Sequence, residues 1–271
     1  MHRVFNSVVH LQERWADRLW RIRQDGSDFS IIADNCWGGF VYQHFRRPYL
    51  TPFAGLFIEA PCFLNLLEDL RGCLAHPLRP THETRYDHLR AARGTTMPNY
   101  PIGIVGADVE IHFLHYPNWE EAAAKWQRRI ERIRWDRLYV KMTDRGDSGP
   151  DRVRRFLGLS FERKIVLTNR TDLAGPEAVC LGGRGAVTLA QGTWGYRRSM
   201  DVPAWLSRGP TRGGRGLARI GRAADGLLAS LADRCSPPEA ADASRNHAAS
   251  ANAARPPIDA PQEMRCPRKA D

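Results

Sequence analysis

The chain is poor in lysine. Of 40 basic residues in 271, only Lys125, Lys141, Lys164 and Lys269 are lysine, and the rest are arginine. A GC-rich coding sequence produces such a skew, so the net charge of +10 and isoelectric point near 9.7 only partly report an anionic partner. Basic clusters interleaved with aromatics in the manner of a nucleic-acid module are also absent, and no nucleic-acid partner is expected. The six cysteines contain no CxxC pair and no regular spacing. A chain of this length needs no disulfide staples, which predicts reduced thiols in the cytoplasm. No apolar run approaches the roughly 18 residues of a membrane span, and no secretory signal is visible. GxGxxG, P-loop and DxD motifs are missing, as is any internal repeat.

What is present has ordinary globular composition, 42% apolar and 26% charged, enough for one large domain or two small ones. Residues 4–23 carry an amphipathic helical pattern (Phe5, Val8, Trp15, Leu19 and Ile22 on one face) within an N-terminal segment 1–28. It reads either as a helix packed on its own domain or as a peripheral inner-membrane contact. Strand and helix patterns then alternate across an α/β domain, 29–200. Strands are predicted at 29–33, 55–59, 135–143, 163–168, 178–181 and 186–190, with one helix over 62–73 and polar loop over 76–99, where His76, His82 and His88 read as loop or surface histidines. The expectation is a mostly parallel sheet with helices on both faces, Rossmann-like and three-layered. A further helix is predicted within 201–235 and a disordered tail over 236–271, where large apolar residues run out.

Two stretches carry candidate chemistry. The first is the turn Asp34-Asn35-Cys36-Trp37-Gly38-Gly39 between a strand and a helix. Asn35 or Asp34 is suited to capping that helix, whose free N–H groups attract anions. Asn35, Cys36, Trp37, Gly38 and Gly39 are therefore candidates for substrate or phosphate binding. Cys36, at a helix start, would have a lowered thiol pKa if exposed.

The second is 100–134, an apolar strand, a glycine break, a second strand and a strongly signalled helix. Alternation puts Asp108, Glu110 and His112 on one face and Val109, Ile111 and Phe113 on the other. The polar trio suits a general base, a divalent cation, or the solvent face of an edge strand. His115 falls on the opposite face of a regular strand, so His112 and His115 make no two-ligand clamp. A metal-dependent hydrolase would need loop ligands such as Asp144 or Asp147. In the helix, Asn118 and Glu121 form a capping box. Lys125, Arg128, Arg129 and Arg132 form an outward stripe, either a solvated face or a contact for an acidic or phosphorylated ligand.

The motifs DNCWGG (34–39), TPFAGLFI (51–58), YPIG (100–103), DVEIHFLHY (108–116) and EEAxxKWxxR (120–129) occur in this order. The set resembles an uncharacterised bacterial family commonly labelled exopolysaccharide biosynthesis protein, over roughly residues 29–170. That family usually shows Asn where Asp34 stands. The resemblance implies cell-envelope polysaccharide assembly and singles out Asp108, Glu110, His112 and His115. The expected function is transfer of an activated sugar or glycan intermediate. Non-catalytic scaffolding of an assembly complex is the alternative.

Overall fold

A computed structural model describes residues 27–208, except 147, 174, 189–190 and 193–194. The readings for 4–23 and 236–271, and that for 201–235 beyond residue 208, lie outside the described residues, which belong to one compact unit.

Four short strands build a parallel sheet: β1 (Ser30–Ala33), β5 (Leu138–Thr143), β6 (Lys164–Thr168) and β7 (Ala178–Cys180), in the order β1-β5-β6-β7. Their β-branched, apolar composition suits a pleat covered on both sides. Ile32, Val140, Met142 and Val166 enter one core, with Phe63 and Leu67 of α2 (Ala60–Glu68) and Val153 and Phe156 of α6 (Gly149–Leu157). Their neighbours Ile31, Ala33, Tyr139, Ile165 and Leu167 enter a second core. Val41 and Tyr42 of α1 (Trp37–Phe45) and Trp205 and Leu206 of α7 (Val202–Arg208) pack there. The two-residue period of a strand thus sorts one sheet's side chains into two cores.

The expectation of a parallel sheet is met here, but not for the hairpin strands. β3 (Ile102–Val105) and β4 (Val109–His112) pair antiparallel, joined by a three-residue turn at Gly106 (φ 64°), and β2 (Arg79–Thr81) completes a separate three-stranded sheet. The reason is chain length, because a parallel crossover needs a dozen or more residues and the turn supplies three.

Other expectations are corrected. Residues 55–59 form no strand; Phe57 makes one bridge with His112, each N–H donating to the other's carbonyl at 2.9 Å. The helix expected over 62–73 breaks at Asp69, whose carboxylate caps the Gly72 N–H at the start of α3 (Leu70–Ala75). The stretch 76–99 is not all loop, since it supplies β2 and α4 (Asp87–Ala92). Residues 186–188 are not in a strand, and the strand expected from Trp135 starts only at Leu138, after a 3-10 turn over Trp135–Arg137.

Candidate functional site

The turn after β1 divides into a buried half and an open half. Asn35 Oδ1 accepts from the Trp37 N–H at 3.1 Å and from Lys141 Nζ at 3.1 Å. Asn35 thus holds the first helical N–H, while the N-cap position falls to Cys36, with no side-chain cap bond. Asp34 turns inward, its Oδ1 accepting from Lys141 Nζ at 3.1 Å and its Oδ2 from the Thr143 N–H at 2.9 Å. Thr143 Oγ1 also contacts Lys141. Lys141 is wholly buried, and burial lowers its pKa against the opposing pull of Asp34. Trp37 is buried edge-on to Tyr196, with ring centroids 5.3 Å apart. A Cβ on Gly38 would sit 3.1 Å from Ile31 Cγ2, so that glycine serves helix-on-strand packing. Cys36 departs from expectation: burial pushes its thiol up, outweighing the nearby Lys141 charge.

Cys36 and Gly39 reach a cleft of about 310 Å³. Gly55, His115 and Tyr116 form another part of its wall. Lys125 and Arg129 of α5 (Trp119–Ile130) complete the cationic side. The helix is built as its sequence reads, with the Glu121 N–H donating to Asn118 Oδ1 at 2.9 Å and Lys125 paired to Glu121. The outward arginine stripe is corrected. Lys125 and Arg129, four residues apart, share the cleft face, while Arg128 and Arg132 are exposed. Arg129 is only 9% exposed. Its Nη1 donates to the Tyr116 hydroxyl at 2.7 Å, which donates onward to the Ala54 carbonyl at 2.7 Å. The guanidinium lies 4.8 Å from the Tyr49 ring centroid, and it pairs with no carboxylate among the described residues. A nearly buried cation without a counter-ion is costly, and an anion entering the cleft would offset that cost.

The acidic strand motif is taken apart by the fold. Asp108 sits in the turn before β4, 37% exposed, with Oδ2 3.1 Å from Arg85 Nη1. Glu110 and His112 share a face as alternation requires, but that face is interior and not solvent-facing. Glu110 accepts from the Thr84 hydroxyl and from the Arg85 N–H at 3.1 Å. His112 Nε2 lies 2.9 Å from Glu110 Oε1, an approach oblique to the ring N–H, and Nδ1 has no partner among the described residues. Burial pushes Glu110 up, yet the adjacent His112 ring and the bonds from Thr84 and the Arg85 N–H prevail and hold it at about 2. Burial also lowers His112, against the pull of Glu110. The strand ends at His112, and the turn that follows carries His115 to the cleft.

Among the described residues no three His, Cys, Asp or Glu side chains group as a metal site. Asp108 is engaged by Arg85. Asp144 is buried against Thr168 Oγ1 (2.7 Å) and Arg170 Nε (2.9 Å), and Asp147 lies outside the described residues. Thr84 and Arg85 were hidden in a stretch read as loop. The Asp34–Lys141 pair left one legible signal, a lysine inside the apolar strand run LYVKMT. No helix among the described residues is long and apolar enough to cross a membrane.

These features define a mixed α/β protein with a cation-lined cleft beside the first strand-to-helix turn. The chain belongs to the domain family of unknown function DUF1919, which it matches over residues 8–174. It is similar to a Haemophilus influenzae protein described as uncharacterized, at 30% identity over 165 residues, covering 60% of this chain and 73% of that protein.

Proposed function

We propose that this protein acts in exopolysaccharide or cell-envelope polysaccharide biosynthesis, holding a phosphorylated sugar or glycan intermediate in the cleft as a transferase. One observation carries the reading: Arg129, nearly buried and paired with no carboxylate among the described residues, faces the cleft beside Lys125. A phosphate is the complementary charge, and the neighbouring Tyr49 and Tyr116 rings offer flat faces to a sugar. His115, on the same wall, is placed to donate a hydrogen bond to the departing phosphate. The parallel sheet is read as the core of a Rossmann-like, three-layered arrangement. The setting of this reading is the cytoplasm, at the inner face of the membrane.

Titration calorimetry of the purified protein with nucleoside diphosphate sugars and with inorganic pyrophosphate tests this. At least one ligand should bind, and Arg129→Gln should weaken it at least tenfold, equivalent to ~1.4 kcal/mol. Absence of binding by every ligand would overturn the reading.

A second reading is non-catalytic binding within an assembly complex. It is favoured by the burial of Glu110 and His112 away from the cleft lining, which leaves His115 as its one histidine among the described residues. Mass spectrometry of donor and acceptor sugars incubated with the protein separates the two, since only a transferase forms a new glycoside.

A further inference from the structure

Two carboxylate–imidazole pairs flank Tyr86, and they differ in exposure. In each, a buried glutamate lies 2.9 Å from a histidine Nε2: Glu110 with His112, and Glu59 with His88. The His112 ring is 0% exposed and shut away, whereas the His88 side chain is 62% exposed above a Glu59 that is only 4% exposed. His88 is the surface histidine that its polar surroundings in the sequence predict. In the fold it sits on α4 over a carboxylate supplied from 29 residues earlier.

Glu59 lies where an open parallel sheet presents its carboxyl edge. The Ile58 N–H donates to the carbonyl of Asp34, just past β1, at 2.9 Å. Arg145, just past β5, donates to the Ile58 carbonyl at 3.0 Å and lies 3.9 Å from Glu59 Oε2. Ligands of such sheets bind outside the carboxyl ends of the strands. The Tyr86 ring stands 6.0 Å from the His88 ring, held by its hydroxyl donating to Cys62 Sγ at 3.1 Å. A fixed, half-buried aromatic face beside an open imidazole suits the C–H face of a sugar.

We propose that Glu59 and His88 form a proton-transfer site for a hydroxyl-bearing substrate, a sugar or polyol, at the carboxyl edge of the parallel sheet. Glu59 is the positioning residue: accepting from Nε2–H, it selects the tautomer whose Nδ1 lone pair faces solvent. His88 Nδ1 takes the proton as the substrate O–H bond breaks, and Glu59 stabilises the imidazolium. In the transferase reading, on which this last step rests, the oxygen bonds to the anomeric carbon of an activated sugar. The sugar's phosphate then leaves with the bonding electron pair. The pair itself does not depend on that reading.

Two measurements on the full chain decide it. Nitrogen-15 NMR of the histidine rings should show neutral His88 as the Nε2–H tautomer alone. Glu59→Gln should relax it to the mixture of an exposed histidine such as His82. In cells producing the polysaccharide, His88→Gln should cut polymer output at least tenfold at unchanged protein level, while ligand binding in the Arg129 cleft stays at the wild-type value. A tautomer mixture in the wild type, or wild-type output from His88→Gln, overturns the proposal. If the cleft binds no ligand at all, the cleft reading fails separately, and the tautomer measurement still decides this one.

Discussion

Replacing Glu110 by Gln should convert an ionised interior group into a neutral one of the same shape. Glu110 sits 2% exposed among the Thr84 hydroxyl, the Arg85 N–H and the Arg85 side chain, which donate to it, with the His112 ring 2.9 Å away. These hold its carboxyl at about 2, down from an ordinary 4.5. At about 1.36 kcal/mol per pH unit, the depression is worth ~3 kcal/mol of stability at neutral pH. Because the folded pKa is depressed, that stability is fully present above pH ~4.5 and lost as pH falls from there toward 2. His112, lowered from 6.5, adds an acid loss of the same sign that begins as pH drops below about 6.5, where the unfolded chain takes the proton first. Urea unfolding followed by tryptophan fluorescence should therefore place Glu110→Gln ~3 kcal/mol below wild type at pH 7. That corresponds to roughly 6–12 °C in Tm for a domain of this size. The gap should narrow steadily between pH 5 and pH 3. A gap below about 1 kcal/mol at pH 7, or one that does not change with pH, would show that the pair contributes shape and not charge.

Further outcomes follow from the other buried groups. Asp34→Asn strands the Lys141 ammonium and should cost about 3–5 kcal/mol in thermal denaturation, and adding Lys141→Met should recover most of it; additive losses would refute the coupling. Gly55 has φ 77°, and a Cβ there would stand 3.3 Å from His115 and Tyr116. Gly55→Ala should therefore cost about 1–3 kcal/mol and weaken calorimetric binding of phosphorylated sugars in the cleft; a neutral substitution would count against the packed wall. Cys36, its thiol pushed up by burial, should react with iodoacetamide at pH 8 more slowly than free cysteine. A faster rate would restore the activated-thiol reading.

How much could be read in advance depended on whether the deciding interactions were local. The helix Trp119–Ile130 was legible in its cap and its Glu121–Lys125 pair, because each lies within four residues of its partner, and in its buried Trp126, because the apolar stripe repeats with the local helical period. The strands within 135–143 and 163–168 were legible, though not their first residues, because a two-residue period with β-branched side chains is local as well. The site was legible only in part. Cys36, Gly39, His115 and Arg129 do meet at one cleft, while Asp108, Glu110 and His112 went to the surface and the interior. No local rule separates Arg129 from Arg128. Tyr116 and Tyr49, reached through tertiary contact, select which arginine is enclosed.

The sequence by itself determined the alternation of elements, the faces of each strand and the capping of the main helix, since these follow from backbone geometry and nearest neighbours. Only the tertiary structure decided which polar face was interior and that the hairpin left the parallel sheet. It also set Lys141 against Asp34 and His88 against Glu59. Burial and long-range pairing belong to the packed chain, where residues 29 or 107 positions apart become each other's nearest charges.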